Sequence, residues 1–499
     1  MNSTDAMYGA LPKRFQMPLG NRAVFAEISN DYTLPDYQPE IRRVLKVESN
    51  VFPPAKYIGG SNVEFNGTVD YRVLYVGMDG ELYSAPLSAE YSFSAPLDIT
   101  NEFDLNEGVT VISDIAEESI TARVSAPRKI SIKCRLNAKV RAYGMLVADE
   151  RCSGEVNPMS IERLNGEFTS HQVISEYGDT VQLSEQIAAD SENLRVITAV
   201  ADVSVSGVTP LNGTVLYEGN VDIKLLVCRE GEISSAYIVS KKIPFRQEMA
   251  VDDITSDCRC FVQTKVGDLK VALEDGRISV DAEMIPEVIA YKAVPVTYTR
   301  DLYSTENYSE CAYKEYTIPE VVMVSRGNFS QSERIPAADT SISHSCRVVD
   351  ISCRPMAEKL EKDKGKITVS GQCKYSFVLE NDGEYSVTDL MLPFKYETDG
   401  DVDDITDHNV NIGVISCKGR IEGTNICIDT ELSICMEVQC SEIISTLSEV
   451  RFGDKVKKSD GDIIICFPSP EDTPWSISKR YFVPMSKISE MSNYILVNS

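Results

Sequence analysis

Tryptophan occurs once and histidine three times in this chain of 499 residues. None of His171, His344 and His408 lies beside a serine or cysteine in a nucleophile setting, and no GxSxG occurs, so the three rings are expected on the surface or in loops. The fourteen cysteines include no CxxC pair, which removes the usual zinc and dithiol signatures. Several sit in apolar runs (Cys134, Cys373, Cys427, Cys435, Cys466) and are expected as reduced, buried, small hydrophobes. Long apolar runs are missing too: the most apolar stretch, Ile463 to Phe467, is far too short to span a bilayer. The first thirty residues hold no sustained apolar segment and are broken by Pro12 and Pro18, so the expected address is the compartment of synthesis. Cations are scarce, with Asp+Glu 76 against Lys+Arg 49 and a net charge of −27. Such a surface repels nucleic-acid phosphates and anionic lipid and suits basic patches on other proteins. The acidic loop at 399–404 is not an EF-hand, because Asp404 stands where the glycine belongs and Val410 where the closing glutamate belongs. No metal, cofactor or catalytic constellation is expected, and the chain reads as a non-enzyme.

What is present is a repetition. Gly67-Thr68-Val69-Asp70-Tyr71 returns as Gly219-Asn220-Val221-Asp222-Ile223 and as Gly371-Gln372-Cys373-Lys374-Tyr375, at two intervals of 152. Arg43-Val44, Arg195-Val196 and Arg347-Val348 keep the same interval. Glycine-bearing acidic turns follow at 79–81, 230–232 and 382–384, as hairpins require. Then come Phe93, Phe245 and Phe394, and Asp-Ile-Thr at 98–100, 253–255 and 404–406. Each unit closes on an alternating run from Ile130, Ile278 or Ile426. In the first, Ile130, Ile132 and Cys134 take one face and Ser131, Lys133 and Arg135 the other, the period of a half-buried strand. Such a strand needs a second layer. The fold class is therefore mainly β, with three tandem sandwich- or barrel-like repeats.

The expected boundaries are a polar N-terminal arm at 1–34 and repeats at 35–182, 183–334 and 335–452. Residues 144–190 and 292–340 look less regular, and the acidic start of LSEQIAADSENL (183–194) favours a short helix. A different pattern occupies 460–499: a strand IIICF, a turn at Pro468-Ser469-Pro470, a helix capped by Asp472 or Thr473 with Pro474 in its first turn, and a second helix after Pro484.

The stretch Asp472-Thr473-Pro474-Trp475-Ser476-Ile477, running on to Tyr481, resembles the opening of a LysM domain, with Glu471 in place of the usual glycine and Pro474 in place of leucine. The lead-in TLPDYQPEIRRVLKV, the strand VEFNGTVDYRVLYVGMDGELYS and the later Pro-Phe pairs resemble the SPOCS (sporulation coat) repeat family over about residues 30–450. Together these resemble the coat morphogenetic proteins of spore-forming Clostridia. The resemblance implies a βααβ tail and a scaffold in the mother-cell cytoplasm, at the forespore surface, that binds the basement-layer ATPase or other coat proteins. It offers as an alternative a reader of peptidoglycan or N-acetylglucosamine polymers acting through the tail. The contact candidates in either case are Glu471, Asp472, Thr473, Trp475 and Asn493. For the indole itself a packing role is favoured, since so small a domain needs a large side chain at its centre.

Overall fold

The computed structural model describes residues 13–188, 193–229, 235–274, 276–402, 404–457 and 468–488. It is mainly β. The first strands are β1 (Lys13–Thr33), β2 (Ile41–Val51), β3 (Ala55–Gly59), β4 (Asn62–Gly77), β5 (Leu82–Pro96), β6 (Val109–Ala126) and β7 (Lys129–Ala148). They form two sheets, β1-β7-β6 and β2-β4-β3 with β5 also on β4. After a short β8 (Arg151–Ser153) come β9 (Ile161–Tyr177), β10 (Val181–Ala188), β11 (Leu194–Leu211), β12 (Thr214–Arg229), β13 (Ser235–Ala250), β14 (Arg259–Glu274) and β15 (Arg277–Ser304). Their sheets are β11-β12-β13 and β10-β15-β14, with β9 on the far half of β15. The third set is β16 (Asn307–Pro336), β17 (Arg347–Asp363), β18 (Lys366–Asn381), β19 (Glu384–Asp399), β20 (Asp407–Glu422) and β21 (Asn425–Lys455), paired as β17-β18-β19 and β16-β21-β20. The one α-helix that is bounded at both ends among the described residues is α1 (Pro474–Tyr481).

Each pair of sheets encloses a core of its own. The alternation in the closing runs is the cause. Ile130, Ile132, Cys134 and Leu136 point inward and are essentially inaccessible, as are Ile278, Val280, Ala282 and Met284 in the second body and Ile426 and Ile428 in the third. Burying one such isoleucine contributes about 1.5–3 kcal/mol. The two sheets of a body also approach along one side, β2 against β6, β11 against β14 and β17 against β20, which gives each sandwich a partly barrel-like closure.

Three expectations change. Residues 13–33 are not an arm but a long strand on β7, with Phe25 opposite Asn137 and Ile28 opposite Cys134. Pro18, which looked like a breaker, sits with Gly20 at the one register shift of that ladder, where a missing N–H is tolerated. Residues 181–188 are an edge strand on β15, with Leu183 opposite Ala282. Leu183 and Ile187 are four apart and suit either a helix or a strand, and the open edge of β15 decides. Within the stretches that look less regular in sequence, 144–190 and 292–340, residues 161–177, 292–304 and 307–336 are strands whose outward residues are half-exposed, so the apolar alternation is faint.

The recurring glycines have a steric reason. Gly67, Gly219 and Gly371 stand opposite Tyr91, Phe245 and Phe394 on the neighbouring strands. The partner ring lies over each glycine: a Cβ would fall 2.5 Å from Tyr91 Cζ, 3.0 Å from Phe245 Cζ or 2.9 Å from Phe394 Cε1. In the second and third bodies it would also strike a bulge carbonyl, that of Ser204 or Met356. In the first body the matching ring is thus Tyr91, not Phe93. Gly371→Ala is expected to cost about 1–3 kcal/mol by overpacking, read as a lower urea unfolding midpoint; an unchanged midpoint would contradict this account.

Candidate functional site

The three bodies close into a ring, and the repeated arginines make part of that closure. Arg195 Nη1 donates to the Leu82 carbonyl of the first body (3.0 Å), and Arg347 Nη1 donates to the Ala236 carbonyl of the second (2.7 Å). The third side is completed by Arg42, not Arg43, which meets both carboxylate oxygens of Glu384 at 2.8 and 2.9 Å. Inside the ring, Leu45, Ile197 and Val349 share one apolar cluster with Leu74, Leu226 and Val378. Within each trio the members are 152 residues apart. A second three-way junction is polar. Arg141 on β7 donates to Glu437 on β21 (2.6 Å) and to the Tyr291 hydroxyl on β15 (3.2 Å), all buried. On the strands paired with those three, Phe15 of β1 packs edge-on against Phe168 of β9 (5.2 Å) and Tyr316 of β16 (5.8 Å), again one residue per body.

Between these junctions lies an open cavity of about 1680 Å³ lined by all three bodies. Its wall carries eleven lysines and arginines against ten carboxylates. A chain with 27 surplus acids therefore carries that surplus elsewhere, mostly on its outer surface. In the wall, Asp350 of the third body accepts an ion pair from Lys224 of the second and another, at 3.5 Å, from Lys46 of the first. Burial would push the Asp350 carboxyl up, but the two ammonium groups outweigh it and hold it below its ordinary value. Arg354 of the third body pairs with Glu117 of the first. Among the described residues Asp202 has no such partner at contact distance. Its side chain is open to the cavity, whose walls bring many protein atoms around it. That enclosure, with Glu48 adding to it against Lys224 and Lys46, pushes its carboxyl up to about 6.

The tail sites fall on α1 and its approach. The Thr473 hydroxyl accepts from the Ser476 N–H (3.1 Å) and the Ser476 hydroxyl accepts from the Thr473 N–H (2.9 Å), a closed capping box. Asp472 accepts from Arg480 (2.5 Å) and from the Ser469 N–H (2.9 Å), which pulls its carboxyl down to about 2. Glu471 is exposed. Trp475 is half-buried, and its contacts come from the β bodies. Its Nε1 donates to Asp301 Oδ2 (2.8 Å) and its ring meets Tyr303 edge-on at 5.0 Å. Lys479 (2.6 Å) and the Tyr313 hydroxyl (2.7 Å) donate to the other oxygen of Asp301. Tyr303 donates to the Val483 carbonyl (2.7 Å), and Phe482 packs on Tyr308 (5.2 Å). The helix is thus fastened to the corner where β15 meets β16. A helical turn resumes at 485–488. Asn493, the IIICF strand, the last tail strand and the turn at 230–232 lie outside the described residues.

Of the histidines, His344 is in an exposed turn and His408 is exposed on β20, but His171 is half-buried within β9, facing inter-strand packing that its isolated position in sequence does not signal. Among the described residues none of the thirteen cysteines is in a disulfide. Among the described residues no group of three or more His, Cys, Asp and Glu is placed to hold a metal ion, and no helix is long and apolar enough to cross a membrane.

Comparison with protein-family models matches residues 194–274 to the SPOCS domain of the SipL family. The matched segment begins with β11 and ends with β14. It points to a sporulation-related protein. No curated protein and no solved structure matches the chain.

Two outcomes check this site. The raised Asp202 carboxyl binds a proton more tightly folded than unfolded, so stability falls as pH rises from about 4 through about 6. Asp202→Asn is expected to stabilise the protein at pH 7, leave it unchanged near pH 4 and flatten the profile between; equal pH profiles would contradict it. Asp301 is the opposite case: burial would raise its pKa, but bonds from Lys479, Trp475 and Tyr313 lower it. Its contribution is complete above the ordinary aspartate range and lost only as pH falls through the lowered value. Emission from Trp475, the sole tryptophan, is expected to hold steady down to that range. Asp301→Ala should shift it to the red at neutral pH while leaving the melting of the β bodies in place; an unshifted spectrum would show that this carboxylate does not fasten the tail.

Proposed function

We propose that the chain is a non-enzymatic scaffold or adaptor in spore-coat morphogenesis. The observation that carries the reading is the SPOCS match over β11 to β14. Residues at 152-residue intervals on either side of that segment meet at the same junctions, which supports three SPOCS units in tandem. Each unit contributes arginine, ionic and apolar contacts to the ring, so the assembly is a rigid carrier with a wide acidic exterior. Such an exterior suits basic surfaces of other proteins. In this reading the chain acts in the mother-cell cytoplasm, binds the basement-layer ATPase or other coat proteins at the forespore surface, and carries a LysM-like βααβ tail as a contact element.

The tail's geometry supports a protein scaffold over a peptidoglycan reader. The indole N–H that a sugar would meet is committed to Asp301, and Asp472 and Thr473 are committed to the helix cap. Contact with a partner then falls to Glu471 and to the loop beside it.

The test is a tagged full-length chain and a form ending at residue 457, expressed in a sporulating host. The full-length form is expected to ring the forespore and to retain coat proteins in pull-downs, and the shortened form to lose part of that recovery. Diffuse fluorescence throughout sporulation would sink the adaptor reading. Equal recovery by both forms would remove the tail from partner binding.

A further inference from the structure

The third body holds a cluster that the scaffold reading does not use. The Cys353 thiol on β17 lies within hydrogen-bonding reach of Cys373 on β18 and of Cys417 on β20. Cys417 also reaches the Thr430 hydroxyl, Cys373 reaches Tyr375, and Thr430 donates to the Tyr375 hydroxyl at 3.0 Å, so the five side chains form a ring across both sheets. The fold does not need them. The register places Ala201, Val221, Ile223, Ala282 and Leu269 of the second body where the third has Cys353, Cys373, Tyr375, Thr430 and Cys417. Those five apolar residues build the same sandwich without a single polar atom on their side chains.

The three thiols are not equivalent. Cys353 and Cys417 line the central cavity, whereas Cys373 is fully buried. Cys353 stands opposite Tyr375, so Cys373 is its diagonal neighbour on the adjacent strand. Diagonal neighbours on adjacent strands lie farther apart than directly opposed residues, and a disulfide needs Cβ atoms within about 3.5–4.5 Å. Cys417 comes from the strand of the other sheet that runs against β17. It lines the cavity beside the Lys224 ammonium, whose charge favours a thiolate there.

We infer that Cys353 and Cys417 form an oxidisable pair that hydrogen peroxide, entering through the cavity, converts to a disulfide joining the two sheets of the third body. The Cys417 thiolate attacks one peroxide oxygen. The O–O bond breaks, a sulfenic acid forms on Cys417, and hydroxide leaves and takes up the thiol proton as water. The Cys353 sulfur then attacks the Cys417 sulfur, its own proton departing with the hydroxyl as a second water. The sum is two thiols and one peroxide giving one disulfide and two waters.

The full-length protein, reduced and freed of reductant, is treated with hydrogen peroxide, blocked with N-ethylmaleimide and mapped by peptide mass spectrometry. The expected result is a linked Cys353–Cys417 peptide lacking two hydrogens, appearing before other cysteines react. Cys353→Ala and Cys417→Leu should each abolish it. Both substitutions install residues that the second body already carries at the same register, and an unchanged melting curve verifies that each variant is folded. In Cys353→Ala the Cys417 sulfenic acid should persist and be captured by dimedone. Full alkylation of Cys353 after peroxide, a link to Cys373, or links scattered over the other cysteines would overturn the assignment.

Discussion

Asp350 is held by one lysine from each of the other two bodies, and this asymmetric ionic contact shows what the ring depends on. The position is occupied differently in each copy: 152 residues earlier stands Thr198, and 152 before that Lys46. Three identical carboxylates meeting at one point would repel, and three lysines would do the same. The three positions carry different residues instead, and their charges complement. Arg141, Tyr291 and Glu437 repeat the solution in a buried setting, with a cation, a neutral hydroxyl and an anion drawn from three bodies. Breaking such a buried pair by removing one partner costs about 3–5 kcal/mol, so these contacts hold the three bodies in one order.

A further consequence is the cavity. Apolar junctions close the ring at the Leu45, Ile197 and Val349 cluster and again at Phe15, Phe168 and Tyr316. The wall between them is charged and stays open, since desolvating so many ions against one another would cost more than their attraction returns. The cations collected there leave the exterior acidic, the property on which the adaptor reading leans. The same wall exposes Cys353 and Cys417 to small solutes.

Much of the β architecture was legible because it rests on short-range rules. Period-two alternation from Ile130, Ile278 and Ile426 marks the inward faces, and the inward residues are buried as that period requires. The glycine positions were legible as markers but not as causes, because the ring that covers each one comes from a strand more than twenty residues away. The N-terminal strand was hidden by Pro18, which a bulge accommodates, and β10 was hidden by a spacing that fits two periodicities. Among the tail residues, Asp472 and Thr473 were readable as a cap. That Trp475 anchors on Asp301 was not, since nothing across a separation of 174 residues announces the pairing.

The sequence by itself determined the 152-residue spacing, the strand faces and the acidic balance, because periodicity, spacing and charge are properties of the chain. Only the tertiary structure decided that Arg195 and Arg347 bind the preceding body, that lysines of two bodies meet an aspartate of the third, and that three cysteines of one body converge. Those facts depend on distances between residues far apart in sequence, and a repeat interval fixes which residues correspond without fixing which of them touch. The glycine strands that mark each copy are thus internal supports, while the chemistry that distinguishes the copies lies where the three bodies face one another.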